Sequence, residues 1–219
     1  MHATRRLAGR LPIVVLLLSL MASRDCLGAE DHAGTAQVRA ILGRAQFARG
    51  NEPFGPLGPG MVLRAGDIVR TATGSAVDLY LGEVPGTVRL TASATLVLEK
   101  LSNAGPKAAT NFEVQLQLQV GELLGLARPV PPESRFEIKV GNGLAQVIKG
   151  RFRVNARGYF VLVDGKALFA HLPTGGEPVA YTLTAPPAVY FSPGAGVQPA
   201  PRDLPREVVN QMRSKLPRR

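Results

Sequence analysis

From Phe112 to Val120 apolar and polar residues alternate without a break, Phe-Glu-Val-Gln-Leu-Gln-Leu-Gln-Val. A period of two puts the apolar set on one face and Glu113, Gln115, Gln117 and Gln119 on the other, so the pattern predicts a strand with one packed and one wet face. Val77, Leu79 and Leu81 alternate in the same way, as do Phe136, Ile138 and Val140. Shorter apolar runs recur at Val38–Ile41, Met61–Leu63, Ile68–Val69, Val88–Leu90, Thr95–Leu98, Leu123–Ala127, Ala145–Ile148, Phe152–Val154, Tyr159–Val163 and Ala167–Phe169.

Glycines punctuate these runs. Gly43 separates the first pair, Gly66-Asp67 and Gly74 mark turns, and Pro85-Gly86 suits a type II turn. Gly121 ends the longest alternating run, Asn142-Gly143 signals a hairpin, and Asp164-Gly165 predicts a second one. Residues 50–60 hold too many Pro and Gly for a helix or a central strand and predict a loop, as do residues 103–110. Arg128–Pro132 predicts an extended segment unable to donate to a ladder. More than a dozen short strands at close spacing argue for an all-β domain rather than an α/β one.

The two ends differ from the middle. Arg5, Arg6 and Arg10 precede an apolar run from Leu11 to Met21, and Leu27-Gly28-Ala29 stands before the acidic Glu30-Asp31. Basic, apolar, then small residues describe a secretory signal peptide over 1–29, with cleavage after Ala29. The run is about half of the roughly 20 residues a spanning helix needs; a signal anchor in the inner membrane is the alternative. Residues 30–35 predict a short flexible lead-in and residues 36–171 the β domain. A Pro/Gly-rich extension with weak strands near Val179–Leu183 and Val189–Phe191 covers 172–201. In 202–219, Asp203 can cap, Pro205 suits a first helical turn, and Val208, Val209, Met212 and Leu216 recur at helical spacing. The expectation there is one short basic amphipathic helix.

Charge narrows the partners. The chain carries a formal +10 over 219 residues. Four arginines against Asp25 give the leader +3, which leaves about +7 for residues 30–219. The basic C-terminus suits contact with an anionic surface. Trp is absent and aromatics are 5%, which supplies little stacking surface for nucleic acid or sugars; no nucleic acid partner is expected. Hydrophobic residues make up 45%, enough for a core. Cys26 lies in the leader, after Ser23-Arg24-Asp25, a poor context for lipidation, so the exported chain carries no thiol or disulfide chemistry.

Residues able to do chemistry are sparse. His32 and His171 are far apart and lack the companions of a metal site. Asp67 sits in a turn, where aspartate satisfies backbone donors. Asp78 and Glu83 flank an alternating strand, Ser75 lacks a nucleophile-elbow context, and the prolines of Asn51–Gly60 remove amides that a phosphate cradle needs. No cofactor is expected. The candidates for partner binding are the glutamine ridge Gln115, Gln117 and Gln119, and the basic pair Arg151 and Arg153 around Phe152.

A larger pattern joins these pieces. Its first part is Leu63-Arg64-Ala65-Gly66-Asp67-Ile68-Val69-Arg70-Thr71, then Gly74-Ser75. Its second is the apolar strand Val77–Leu81, Arg89-Leu90 and Thr95-Leu96-Val97-Leu98-Glu99. Its third is Leu118-Gln119-Val120-Gly121, Phe136–Val140, Lys149-Gly150 with Phe152-Arg153-Val154, and Val163-Asp164-Gly165-Lys166. The ordered set, over roughly residues 36–170, resembles the extracytoplasmic FecR-type domain. That resemblance implies a compact multi-strand fold, partly β-helical or sandwich-like. It also implies structural turns at Gly66, Asp67, Gly74, Gly121, Gly150 and Gly165. The family's best-known members bind an outer-membrane receptor outside and control a sigma factor inside. Only ten residues precede the apolar run here, so an anti-sigma segment is not expected. The expectation is a periplasmic or secreted, non-catalytic binding or scaffolding module with an envelope protein partner. An envelope polysaccharide-binding protein or a carboxylate-dependent cell-wall hydrolase is the alternative.

Overall fold

The alternation at Phe112–Val120 becomes a strand, Asn111–Val120, in which Phe112, Val114, Leu116 and Leu118 are buried and Glu113, Gln115 and Gln117 are half-buried. Val120, expected on the packed face, is 53% exposed, because the register with the preceding strand slips between Leu118 and Val120. The computed structural model describes residues 31–104, 111–171, 177–184, 188–190 and 202–203. It is all-β within them.

The strands are β1 (Asp31–Ala33), β2 (Ala36–Leu42), β3 (Ala45–Arg49), β4 (Gly55–Pro56), β5 (Val62–Leu63) and β6 (Asp67–Thr71). Then come β7 (Ala76–Tyr80), β8 (Gly86–Leu90), β9 (Thr95–Ala104), β10 (Asn111–Val120), β11 (Glu122–Ala127) and β12 (Arg135–Val140). The last are β13 (Gly143–Asn155), β14 (Phe160–His171), β15 (Val179–Thr184), β16 (Ala188–Tyr190) and β17 (Arg202–Asp203).

They form one curled sheet with two arms that meet on β13. Residues 143–146 of β13 pair with β12, and the ladder continues through β10, β9, β6, β3 and β4. Residues 150–155 pair with β11, and that ladder continues through β8, β7, β2 and β5. Among the described residues, only the β10–β12 pairing is parallel. β14 lies along β13 and carries β16 and β17 beside its first half and β15 beside its second. Both arms fill a single apolar core: Val77, Leu79 and Leu90 from one, Leu96, Leu116 and Ile138 from the other, all with no exposed surface. The alternation in the sequence is thus the signature of two half-buried faces closing on each other.

The chain crosses between arms at tight corners, and the corners are bonded to one another in a row. Arg44 N–H donates to Ser75 Oγ (3.0 Å), Ser93 N–H to the Ala72 carbonyl (3.2 Å), Thr91 N–H to Glu122 O (3.0 Å) and Ala156 N–H to Gly121 O (2.9 Å). At these corners and bends Gly66, Gly74, Gly121, Gly150 and Gly165 have φ of 90°, 68°, 84°, 112° and 104°, the left-handed side of the map. At Gly121 the corner is also crowded, since a Cβ there would lie 2.4 Å from the Ala94 Cβ.

Four aromatic rings make the spine of the β12–β14 region. Phe136, Phe152, Phe160 and Phe169 follow one another at centroid separations of 5.9 Å, all essentially without exposure. The first contact is edge-on and the second stacked, arrangements that add to area burial.

Several sequence expectations change. Asp164-Gly165 is not a hairpin turn; both residues lie inside the continuous β14, and β13 returns through Asn155–Tyr159. The hairpin expected at Asn142-Gly143 turns one residue earlier, on Gly141 and Asn142, with φ 45° at Gly141. Gly at the first of two central positions is what a type II′ turn needs. The lead-in of 30–35 contains β1, antiparallel to Ser102–Ala104 of β9. The Gly-Pro loop of 50–60 contributes the two-residue edge strand β4. Arg128–Pro132 does donate: Arg128 N–H bonds the Pro85 carbonyl (3.2 Å) and Val130 N–H the Ile148 carbonyl (2.8 Å). Its prolines lack amides, but Arg128 and Val130 aim theirs at neighbouring carbonyls. Asp203, expected as a helix cap, pairs with Ala188 in β17; residues 204–219 of the expected helix, like the leader, lie outside the described residues.

Candidate functional site

The motif residues of the first pattern hold the fold. Leu63 is fully buried. The Asp67 carboxylate is buried, accepts from Arg64 N–H (2.9 Å) and stands 3.5 Å from the Arg49 guanidinium. Thr71 Oγ1 donates to the Thr91 carbonyl and accepts from Ala94 N–H (3.0 Å), tying two corners together. Ser75 Oγ holds the Arg44 amide. These side chains satisfy backbone groups that the corners leave over.

The glutamine ridge lies on the outward face of the arm built by β9, β10 and β12. Gln115 stands beside Glu137 in the parallel pair and donates to its Oε2 at 3.0 Å. On the same face Lys100 pairs with Glu113 and Lys139 with Glu99, each at 2.6 Å. Farther along, Gln117 and Gln119 line an open groove of about 400 Å³ that Lys139, Gly141, Leu144 and Ala156 complete. The structure therefore divides the ridge. Gln115 is held by Glu137, while the amides of Gln117 and Gln119 stand 3.5 Å apart at the groove. Three amide or ammonium groups over an apolar wall can orient an extended chain or a polar group of a partner.

Arg151 and Arg153 are elsewhere, on the outward side of the opposite arm. Arg151 makes an ion pair through its guanidinium with Asp164, whose Oδ1 also accepts from Arg151 N–H (3.0 Å). Arg153 pairs with Glu122. Beside them Arg89 and Asp78 face each other in register and form a two-pronged pair, 2.6 Å and 2.7 Å. The hydrogen bonds that Arg89 donates to Asp78 raise its guanidinium above its already high ordinary value, against a smaller opposing effect of burial. The basic patch read from Arg151 and Arg153 is thus a set of neutralised cross-strand pairs.

His171 is buried, and for His32 only its strand position opposite Asn103 is described. Among the described residues no group of three His, Cys, Asp or Glu side chains is arranged to hold a metal ion. A second groove, of about 580 Å³, lies between β3, β4 and β6 and is lined by Arg44, Gln46, Leu57, Arg70 and Thr71. Sequence reasoning passed over it, because Arg44 and Arg70 belong to different segments; the one available signal was the concentration of arginines before residue 72. No family model, curated protein or solved structure matches this chain.

Proposed function

We propose that the chain is an exported, non-catalytic binding or scaffolding module of FecR-like type, working in the periplasm or outside the cell with an envelope protein as its partner. The observation that carries this reading is the division of labour between the motif and the surface. Asp67 closes its own turn, and Thr71, Ser75 and Gly121 tie corners together. The groove at Gln117, Gln119 and Lys139 lies open on a face whose neighbouring carboxylates, Glu99, Glu113 and Glu137, hold a lysine or an amide. A polar, half-buried sheet face beside a groove with an apolar wall has the make-up of a partner-binding surface. Export follows from the leader read in the sequence.

A photocrosslinking residue at Gln119, used in native envelopes with mass spectrometry, tests the assignment. The expected result is a discrete protein adduct from position 119 and none from position 166, an exposed site on β14. An adduct pattern identical at both positions, or none from 119, rejects this groove as the partner site. Cleavage of cell-wall polymer by the purified chain, abolished by a single carboxylate-to-amide change, rejects the non-catalytic reading.

A further inference from the structure

We infer that the groove between β3, β4 and β6 is a second, independent binding site, and that it takes a carboxylate-rich extended segment of a protein. Two of the five arginines in this part of the chain, Arg44 and Arg70, line it. Residues 36–72 contain five arginines against Glu52 and Asp67, and Asp67 is already occupied by Arg49. The rest of the described chain is threaded with ion pairs, as at Arg89, Lys139, Arg151 and Arg153. The 580 Å³ groove is lined by Arg44 and Arg70 and by no acidic residue.

The two arginines are also positioned. Gln46 and Arg70 are register partners on β3 and β6, so Arg70 projects beside the glutamine at the groove. Its guanidinium lies 3.8 Å above the centre of the Phe54 ring, which restricts its rotation and leaves its N–H edges available. The backbone of Arg44 is fixed at its corner by the bond to Ser75 Oγ and by its own carbonyl, which accepts from Ala72 N–H (3.0 Å). A planar guanidinium takes a carboxylate through two parallel N–H bonds. Leu57 and Pro56 supply apolar wall for the stem of an acidic side chain. A sugar chain would want an aromatic face, and the face of Phe54 is covered by Arg70. That favours an acidic peptide over an acidic glycan. The site shares no residue with the glutamine groove, so the two stand or fall separately.

The test is fluorescence polarisation of a fluorescein-labelled decapeptide of alternating Glu and Ala, titrated with the purified chain in low salt. The expected result is saturable binding of one peptide per chain, weakened about tenfold or more by Arg44→Gln with Arg70→Gln. The control pair Arg135→Gln with Arg157→Gln removes the same charge from exposed positions elsewhere and should change affinity by no more than about twofold. Arg44→Gln alone should weaken binding in a chain with an unchanged melting temperature, which separates loss of the site from loss of the fold. Equal weakening by both pairs would show only diffuse attraction and would overturn the site, as would absence of saturable binding. Displacement of the peptide by polygalacturonate or by a single-stranded oligonucleotide at lower charge concentration than by unlabelled peptide would overturn the ligand assignment.

Discussion

Gly150 faces Gly165 across β13 and β14, and neither position has room for a side chain. A Cβ on Gly150 would lie 1.8 Å from the Asp164 carbonyl oxygen, and one on Gly165 would lie 2.0 Å from that of Lys149. Register shifts flank the pair, between Val147 and Lys149 and between Arg151 and Phe152. The two longest strands therefore bend together at one point. Ahead of the bend β13 pairs with β12, and beyond it with β11, so this glycine pair is where the two arms of the sheet join.

Gly165→Ala should cost about 3 kcal/mol or more, since the obstacle is backbone and the φ of 104° is itself unfavourable for alanine. Gly66→Ala should cost only about 1–2 kcal/mol, because φ is 90° but nothing lies within 4 Å of the added carbon. Urea denaturation of both variants checks this. Equal midpoints would remove the joint from the account. Valine at Gly121 or Gly150 should prevent recovery of folded protein, read as loss of a cooperative urea transition.

Phe152 covers Gly125, its partner in register on β11; a Cβ at Gly125 would fall 2.0 Å from the Phe152 Cζ. Phe152→Ala should cost about 3–5 kcal/mol through the cavity and the lost ring contacts. Gly125→Ala alone should also destabilise, by pushing the ring off its stack. With Phe152→Leu in place, the same Gly125→Ala should cost at least about 1 kcal/mol less, a coupling that a double-mutant cycle measures. Strict additivity would contradict the packing described.

Asp67→Ala should destabilise by about 1–3 kcal/mol, since it leaves the Arg64 amide without its acceptor and the Arg49 guanidinium without its carboxylate. Thr71→Val should cost a similar amount by releasing Ala94 N–H. Both should leave crosslinking from position 119 intact in the folded fraction. Loss of that adduct in a stably folded Thr71→Val chain would show that the motif reaches the proposed partner site at Gln119.

The Asp78–Arg89 pair sets a pH expectation. Arg89 is raised by its partner, so its stabilising charge is present below its ordinary value and is lost only as pH rises through the still higher folded value. From pH 7 to pH 10 the pair should not weaken. Arg89→Lys substitutes a group whose ordinary value is about 10.4 and which Asp78 would likewise raise, so its melting temperature should follow that of the parent chain up to about pH 10 and fall away from it only above that. Parallel curves there would mean the pair adds nothing to stability.

Much of the fold was legible from local pattern. Phe112–Leu118 alternates because one face meets the core, and that requirement is written residue by residue. The positions of Gly66, Gly121 and Gly150 were legible because their conformation is open to glycine and unfavourable for other residues. The glutamine ridge was visible as a polar face, but not that Glu137 engages Gln115 while Gln117 and Gln119 line a groove.

By itself the sequence determined that the described residues are all-β and where most of their strands and glycine bends fall, since these depend on neighbours one or two residues away. Tertiary structure alone decided what each bend does. Asp164-Gly165 has the local signature of a hairpin, yet the strand continues because Gly150 stands opposite and lets both strands turn together. It also decided which charges are neutralised. Arg151 and Arg153 meet Asp164 and Glu122, whereas Arg44 and Arg70, remote in sequence, share a groove because β3 pairs with β6. Pairing between distant strands is set by the closing of one core, and a window of sequence does not contain it.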